Sequence, residues 1–248
     1  MAGRSRREGT PGGGGSLDEL KRAAAERAVA GYVESGMVVG LGTGSTAAFV
    51  IRRIGELIAS GELQNVRGVP TSARTTALAR EAGVPLVTLA EARPLVTIDG
   101  ADEIGPGFAL IKGRGGALLR EKIVAYSSGE LVVVADESKL VDALGAGPLP
   151  VEIDSFGWER TLEELASLGC EPALRLEGPG SQTGDPDRPF VTDGGHYTAD
   201  CLFSSIPDPA ALEEEIKRIP GALECGLFVG LARTAVVGSP GGTKIIEA

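Results

Sequence analysis

Apolar residues recur at helical spacing from residue 17 to about 33, where Leu20, Ala23, Ala24, Ala28 and Val29 form one stripe. Ser16 and Glu19 ahead of it have the spacing of a capping box, which predicts the helix start. A short apolar run at 37–41 enters the loop GLGTGSTA (40–47), and helical patterning resumes over 48–58. The alternation continues with a strand at 66–70, a helix at 72–82, short strands at 84–88 and 95–98, and a helix opening over 117–124. Residues 131–135 (LVVVA) are all apolar, as expected of a parallel strand covered on both faces. This βαβα pattern predicts an α/β fold with a doubly wound, Rossmann-like main domain.

The character changes after 145–148 (GAGP). Strand 149–153, helix 158–168, strand 172–176, strand at Val191 and 197–203, and helix 209–218 predict a smaller α+β, ferredoxin-like domain. Between them, 177–189 is rich in Gly, Pro and Asp and reads as a loop. The last stretch carries three strand-like runs, LFVG, TAVVG and TKIIE, expected to return to the first sheet. The expected division is a disordered tail over 1–16, a catalytic domain of 17–147 plus 223–248, and a small domain of 148–222. The glycine run at 12–15 is linker-like.

Composition narrows the function classes. A net charge of −10 argues against nucleic acid or an anionic membrane as partner, so an anionic substrate would need a local cationic site. No apolar run approaches membrane-spanning length, and the basic start lacks the apolar stretch of a secretory signal. Cys170, Cys201 and Cys225 are odd in number and widely spaced, which predicts reduced thiols and a cytoplasmic setting. With His196 the sole histidine, a zinc site or histidine-based triad is disfavoured, and no metal ligand set is expected.

Candidate chemistry concentrates in three loops. In GLGTGST, Ser45 stands where a dinucleotide fingerprint has its third glycine. Thr43, Gly44, Ser45 and Thr46 at a helix start suit a phosphate or polyol, or merely cap the helix. Asp99 and Asp102, around Gly100 and Ala101, stand where a strand gives way to a loop; an Asx-turn is the plainer role. Lys112, followed by Gly113, Arg114 and Gly115, can bind an anion or stabilise an oxyanion. Glu121, in the first turns of a mostly apolar helix, is the general-base candidate, or else an ordinary partner of Arg120 or Lys122. Lys139 sits where such a sheet opens its crevice. Turn chemistry accounts for Asp193 and Asp200, and His196 is expected at a loop tip.

Taken in order, GLGTGSTA, DGADE (99–103), KGRGGALLREK (112–122), SKLV (138–141), LPVEI (149–153) and IPGALECGLF (219–228) make the chain resemble type A ribose-5-phosphate isomerases. The resemblance spans nearly the whole chain after the tail. It implies cofactor-free interconversion of D-ribose 5-phosphate and D-ribulose 5-phosphate, and a homodimer or homotetramer. By matching position, Glu121 moves the carbon-bound proton while Asp99 and Lys112 assist at the oxygens. Thr43–Thr46, Asp99–Asp102, Lys112–Gly115 and Lys139 bind the substrate. Which of Asp99 and Asp102 handles the oxygen-bound protons is left open. Two departures stand out: Arg114 replaces a frequent glycine, and Gly194 and His196 alter a TDNGN-like stretch. A non-catalytic sugar-phosphate sensor of similar fold is the alternative, although such a protein could dispense with Glu121 and Lys112.

Overall fold

The computed structural model describes residues 16–178 and 185–248. The expected tail therefore lies, apart from Ser16, outside the described residues, as does the middle of the 177–189 loop. Ser16 closes the expected box: its Oγ accepts from the Glu19 N–H (3.4 Å) and Glu19 Oε2 accepts from the Ser16 N–H (2.6 Å). Helix α1 (Leu17–Tyr32) follows and buries Ala24, Ala25, Ala28 and Val29.

The main sheet is built from β1 (Val38–Leu41), β2 (Arg67–Pro70), β3 (Val96–Gly100), β6 (Leu131–Asp136), β12 (Ala232–Ser239) and β13 (Gly242–Glu247). Their order is β13-β12-β6-β3-β1-β2, parallel throughout except for the edge strand β13. Strand β6 explains the uninterrupted apolar run in the sequence. Its Val132 and Val134 join α1 and α2 (Ser45–Ser60) in one core, while Leu131, Val133 and Ala135 pack on the opposite face with Phe228 and Val237. The valine, leucine and phenylalanine side chains each contribute about 1.5–3 kcal/mol by leaving water. Helix α3 (Ala73–Glu81), capped by Ser72, joins the α1/α2 side.

A four-stranded antiparallel sheet holds β7 (Leu149–Ile153), β8 (Glu171–Leu174), β9 (Tyr197–Leu202) and β10 (Ala222–Cys225) in the order β10-β7-β9-β8. With α5 (Trp158–Ala166) and α6 (Pro209–Lys217) it forms the strand-helix-strand-strand-helix-strand unit of a ferredoxin-like layer. Strand β10 pairs with β7 as far as Cys225, and the chain rejoins the main sheet at β12.

Four local expectations are corrected. Residues 84–88 form no strand: Leu86 makes a single bridge to Gly68, and Pro85 has no N–H to extend the ladder. Val191 belongs to no strand. Residues 227–228 form β11, which pairs with β5 (Leu110–Ile111), not with the main sheet. Together with β4 (Glu103–Ile104) they make a separate three-stranded sheet. Helix α2 starts at Ser45 rather than 48, because Gly44 takes the N-cap at φ 120°, a backbone open to glycine.

Candidate active site

In the main sheet β2 lies on one side of β1 and β3 on the other, so the loops leaving β1 and β3 diverge and open a crevice at the strands' carboxyl ends. Asp99, near the end of β3, is 1% exposed at the floor of that crevice. Its Oδ1 accepts from the Thr43 N–H (3.0 Å) and the Gly100 N–H (2.7 Å). The first loop therefore wraps the carboxylate directly. A Cβ at Gly42 would stand 2.1 Å from Asp99 Oδ1, which is why the chain needs glycine there.

Lys112 comes in from β5. Its N–H donates to Gly226 O (2.8 Å), placing the lysine against the segment that leads into β11. Gly113, at φ 110°, turns the chain toward α4 (Leu118–Ser127), and Glu121 in the first turn of α4 points back. Lys112 Nζ lies 3.0 Å from Asp99 Oδ2 and 3.1 Å from Glu121 Oε2, and donates to Gly100 O at 2.5 Å. The Phe228 ring lies beneath the ammonium, 5.3 Å away. Neighbouring charges do not compete for Glu121, since Arg120 pairs with Asp193, and Lys122 with Glu213 and Glu224.

Two buried carboxylates share one ammonium here. Burial, then the Asp99 charge, push the Glu121 carboxyl up to about 8, against the pull of Lys112. Burial also raises Asp99, opposed by Lys112 and the two backbone N–H groups. For Lys112, burial opposes the charge, but Asp99 and Glu121 outweigh it and hold the ammonium above its ordinary range. Asp99, with more donors, is the better place for the negative charge. Glu121 Oε2 is buried and, though near Nζ, has no aligned hydrogen-bond donor. A carboxyl poised near neutrality with an unsatisfied oxygen is suited to exchange a proton with a bound molecule.

Glu121 and Lys112 border a cavity of about 140 Å³. Its other walls are Thr43–Thr46 from the first loop, Gly100–Asp102 from the second, Gly113 and Gly115 from the third, and Lys139 and Lys21. Three expected residues differ in detail. The Thr43 hydroxyl is taken up by Thr71, Ser72 and Thr75 at 2.7–3.0 Å. Asp99 acts from behind Lys112. The Arg114 side chain turns away to Glu103 Oε1 (2.8 Å), while its N–H donates to Asp102 Oδ2 (3.0 Å).

Sequence reading missed Lys21, whose Nζ donates to Ser45 Oγ (3.1 Å) at the start of α2. It also missed Glu103, whose buried carboxylate accepts from Gly145, Ala146 and Gly147 N–H as well as from Arg114. Turn chemistry does not account for Asp193 and Asp200: Asp193 accepts from the Ala73 N–H (2.6 Å), and Asp200 pairs with Arg175. His196 directly follows the 193–195 turn, and its Nδ1 lies 2.8 Å from buried Glu152 Oε1. Among the described residues, Glu213, Glu224 and Cys225 are the one group spaced for a metal, and Lys122 and Lys217 already neutralise its carboxylates. No helix among them is long and apolar enough to cross a membrane.

Residues 67–242 match the family model of ribose 5-phosphate isomerase A (phosphoriboisomerase A). The ribose-5-phosphate isomerase A of Gloeobacter violaceus is 52% identical over 93% of this chain and 96% of its own length. Among solved structures, ribose 5-phosphate isomerase A of Methanocaldococcus jannaschii superposes with a TM-score of 0.86 at 42% identity, covering 94% of this chain and 100% of that one. A D-ribose-5-phosphate isomerase in complex with phospho-erythronic acid superposes at 0.89 with 39% identity, over 94% of this chain and 100% of that one. The sequence, the sheet order and the solved relatives agree: this chain belongs to the ribose 5-phosphate isomerase A family.

Proposed function

We propose that the chain interconverts D-ribose 5-phosphate and D-ribulose 5-phosphate through an enediolate. The observation that carries this reading is Lys112 Nζ set between Asp99 and Glu121, 3.0 and 3.1 Å away, at the edge of a hydroxyl- and lysine-lined cavity. Ionised Glu121 takes the proton from C2 of the open-chain aldose, and the electron pair moves through C1 onto O1. The Lys112 ammonium stabilises the oxygen charge. The proton on O2 is passed to O1, and Glu121 returns its proton to C1, leaving the C2 ketone. Asp99 holds Lys112 charged and in place, and Asp102 faces the cavity as the second acid. The phosphate lies at the N-terminus of α2, where the free amides, Ser45, Thr46, Lys21 and Lys139 converge. The phospho-erythronic acid held by the relative has a phosphate and a carboxylate, matching the two anionic ends of that intermediate.

In this reading the catalytic domain is 17–147 plus the stretch after Cys225, with 148–225 as the small domain. The chain works as a homodimer or homotetramer; exposed Ile123 and Tyr126 on α4 give it an apolar face for a second copy. Its three buried, unpaired cysteines suit the cytoplasm. A sensor would not need the buried, orphaned Glu121 oxygen. The test is ribulose 5-phosphate formation from ribose 5-phosphate in EDTA, for the unaltered chain and Glu121→Gln. The expected outcome is turnover in the first and a loss of roughly 10³-fold or more in kcat for the second, with KM little changed. Binding without turnover in the unaltered chain would move the reading to the sensor.

A further inference from the structure

The turn that carries Lys112 into α4 is held from outside the main sheet. Arg175, just beyond β8, sends its Nη1 to Gly113 O (3.0 Å) and Arg114 O (3.3 Å). Its Nε donates to Asp200 Oδ2 (2.8 Å) and its Nη2 to Asp200 Oδ1, a two-pronged pairing that fixes the guanidinium plane. The backbone of Arg175 is pinned on both sides: its N–H donates to Thr198 O and its carbonyl accepts from the Phe190 N–H. The same Phe190 ring lies under the guanidinium at 5.8 Å and against Gly116, where a Cβ would stand 2.4 Å from Cζ. One peptide of the turn is therefore gripped at both ends, its Gly113 carbonyl by Arg175 and its Arg114 N–H by Asp102 at 3.0 Å. Because a trans peptide points its C=O and N–H in opposite directions, the Arg114 carbonyl held by Arg175 turns the Gly115 N–H away from the guanidinium.

We infer that Arg175, oriented by Asp200, is a positioning residue for the isomerisation: the small sheet sets the peptide planes of the 113–116 turn and, through them, the aim of Lys112. It touches no reacting atom, and the inference rests on the reading of Lys112 given above. The four-stranded layer is thereby part of the active-site support.

The test compares Arg175→Ala, Arg175→Lys and Asp200→Asn with the unaltered chain in kinetics, thermal melting and hydrogen exchange over 113–116. Lysine keeps a positive charge for Asp200 but cannot hold that carboxylate and two carbonyls together. Arg175→Lys is therefore expected to stay folded, with exchange across the turn quickened. Its kcat should fall about 10- to 100-fold, while KM, set by the phosphate cradle, stays within about threefold. Arg175→Ala should lose at least as much, and Asp200→Asn about 3- to 10-fold. If Arg175→Ala does not fold, Arg175→Lys decides. A kcat within about twofold of the unaltered chain, or a loss seen only in KM, overturns the inference. Glu121→Gln and the unaltered chain are assayed alongside, so a wrong reading of the reaction appears there. Exchange over the turn still reports on the Arg175 clamp in that event, and unchanged exchange in Arg175→Lys overturns it.

Discussion

At the scale of single residues, Glu121 as the proposed base is expected to couple activity to stability with opposite signs. Its carboxyl sits at about 8 in the folded chain against an ordinary 4.5, chiefly through burial and then through the Asp99 charge. Between those values the folded chain keeps a proton that the unfolded chain has released. The stabilisation is complete below the ordinary value and is lost as pH rises through the folded one. Glu121→Gln removes that titration, so it is expected to melt higher than the unaltered chain, by a few degrees near pH 8 and by less near pH 5. Melting curves at the two pH values check this, and an equal gap at both would refute it. The base works only when ionised, so kcat/KM is expected to climb over the same window, with an acid limb centred near 8. A limb centred near the ordinary carboxylate value would mean that Glu121 is not the base.

At the scale of elements, what was legible in the sequence is what repeats or what is local. The Ser16–Glu19 box, the stripe of α1, the all-apolar β6 and the glycine loop before α2 each encode their state within a few residues. Asp99, Lys112, Glu121 and Lys139 could be picked out because strand ends and helix starts place them, and those boundaries are visible in the pattern. Partner choice is not local. The runs at 227–230 and 234–238 look alike, yet β11 pairs with β5 while β12 lies beside β6. Residues 84–88 have a strand's composition, but Pro85 limits them to one bridge. Lys21, Glu103 and Arg175 have partners far along the chain, so no local spacing marks them. The fit between elements also gives a prediction. Gly42→Ala sets a methyl 2.1 Å from Asp99 Oδ1. Steady-state kinetics and melting should show kcat down by roughly 10²-fold and stability down by about 1–3 kcal/mol.

Across the whole molecule, a chain of net charge −10 must hold an anionic sugar phosphate against its own field. In the function proposed above it does so by convergence: Lys21 arrives from α1, Lys112 from β5 and Lys139 from the turn after β6, all on one cavity. Lys21 contacts Ser45 at the start of α2 and lies on the phosphate side. Lys21→Ala is therefore expected to raise KM for ribose 5-phosphate about tenfold, with kcat within about twofold, as initial-rate kinetics would show. A fall in kcat with KM unchanged would place Lys21 at the chemistry instead.

The order in which the chain is made adds a last constraint. Asp99, Lys112 and Glu121 all lie in the first half of the chain, so a translating ribosome delivers them early. Yet Lys112 is seated by the Gly226 carbonyl and underlain by Phe228, and the strand beside β6 runs from Ala232 to Ser239. Domains generally fold as units during synthesis, and here the strands at 227–228 and 232–239 are needed to close the site. A nascent chain halted before Gly226 therefore carries the three proposed catalytic residues without the carbonyl that seats Lys112 or the ring beneath it, and is expected to be inert. Activity is expected only once residues 226–239 have joined the fold beside β5 and β6.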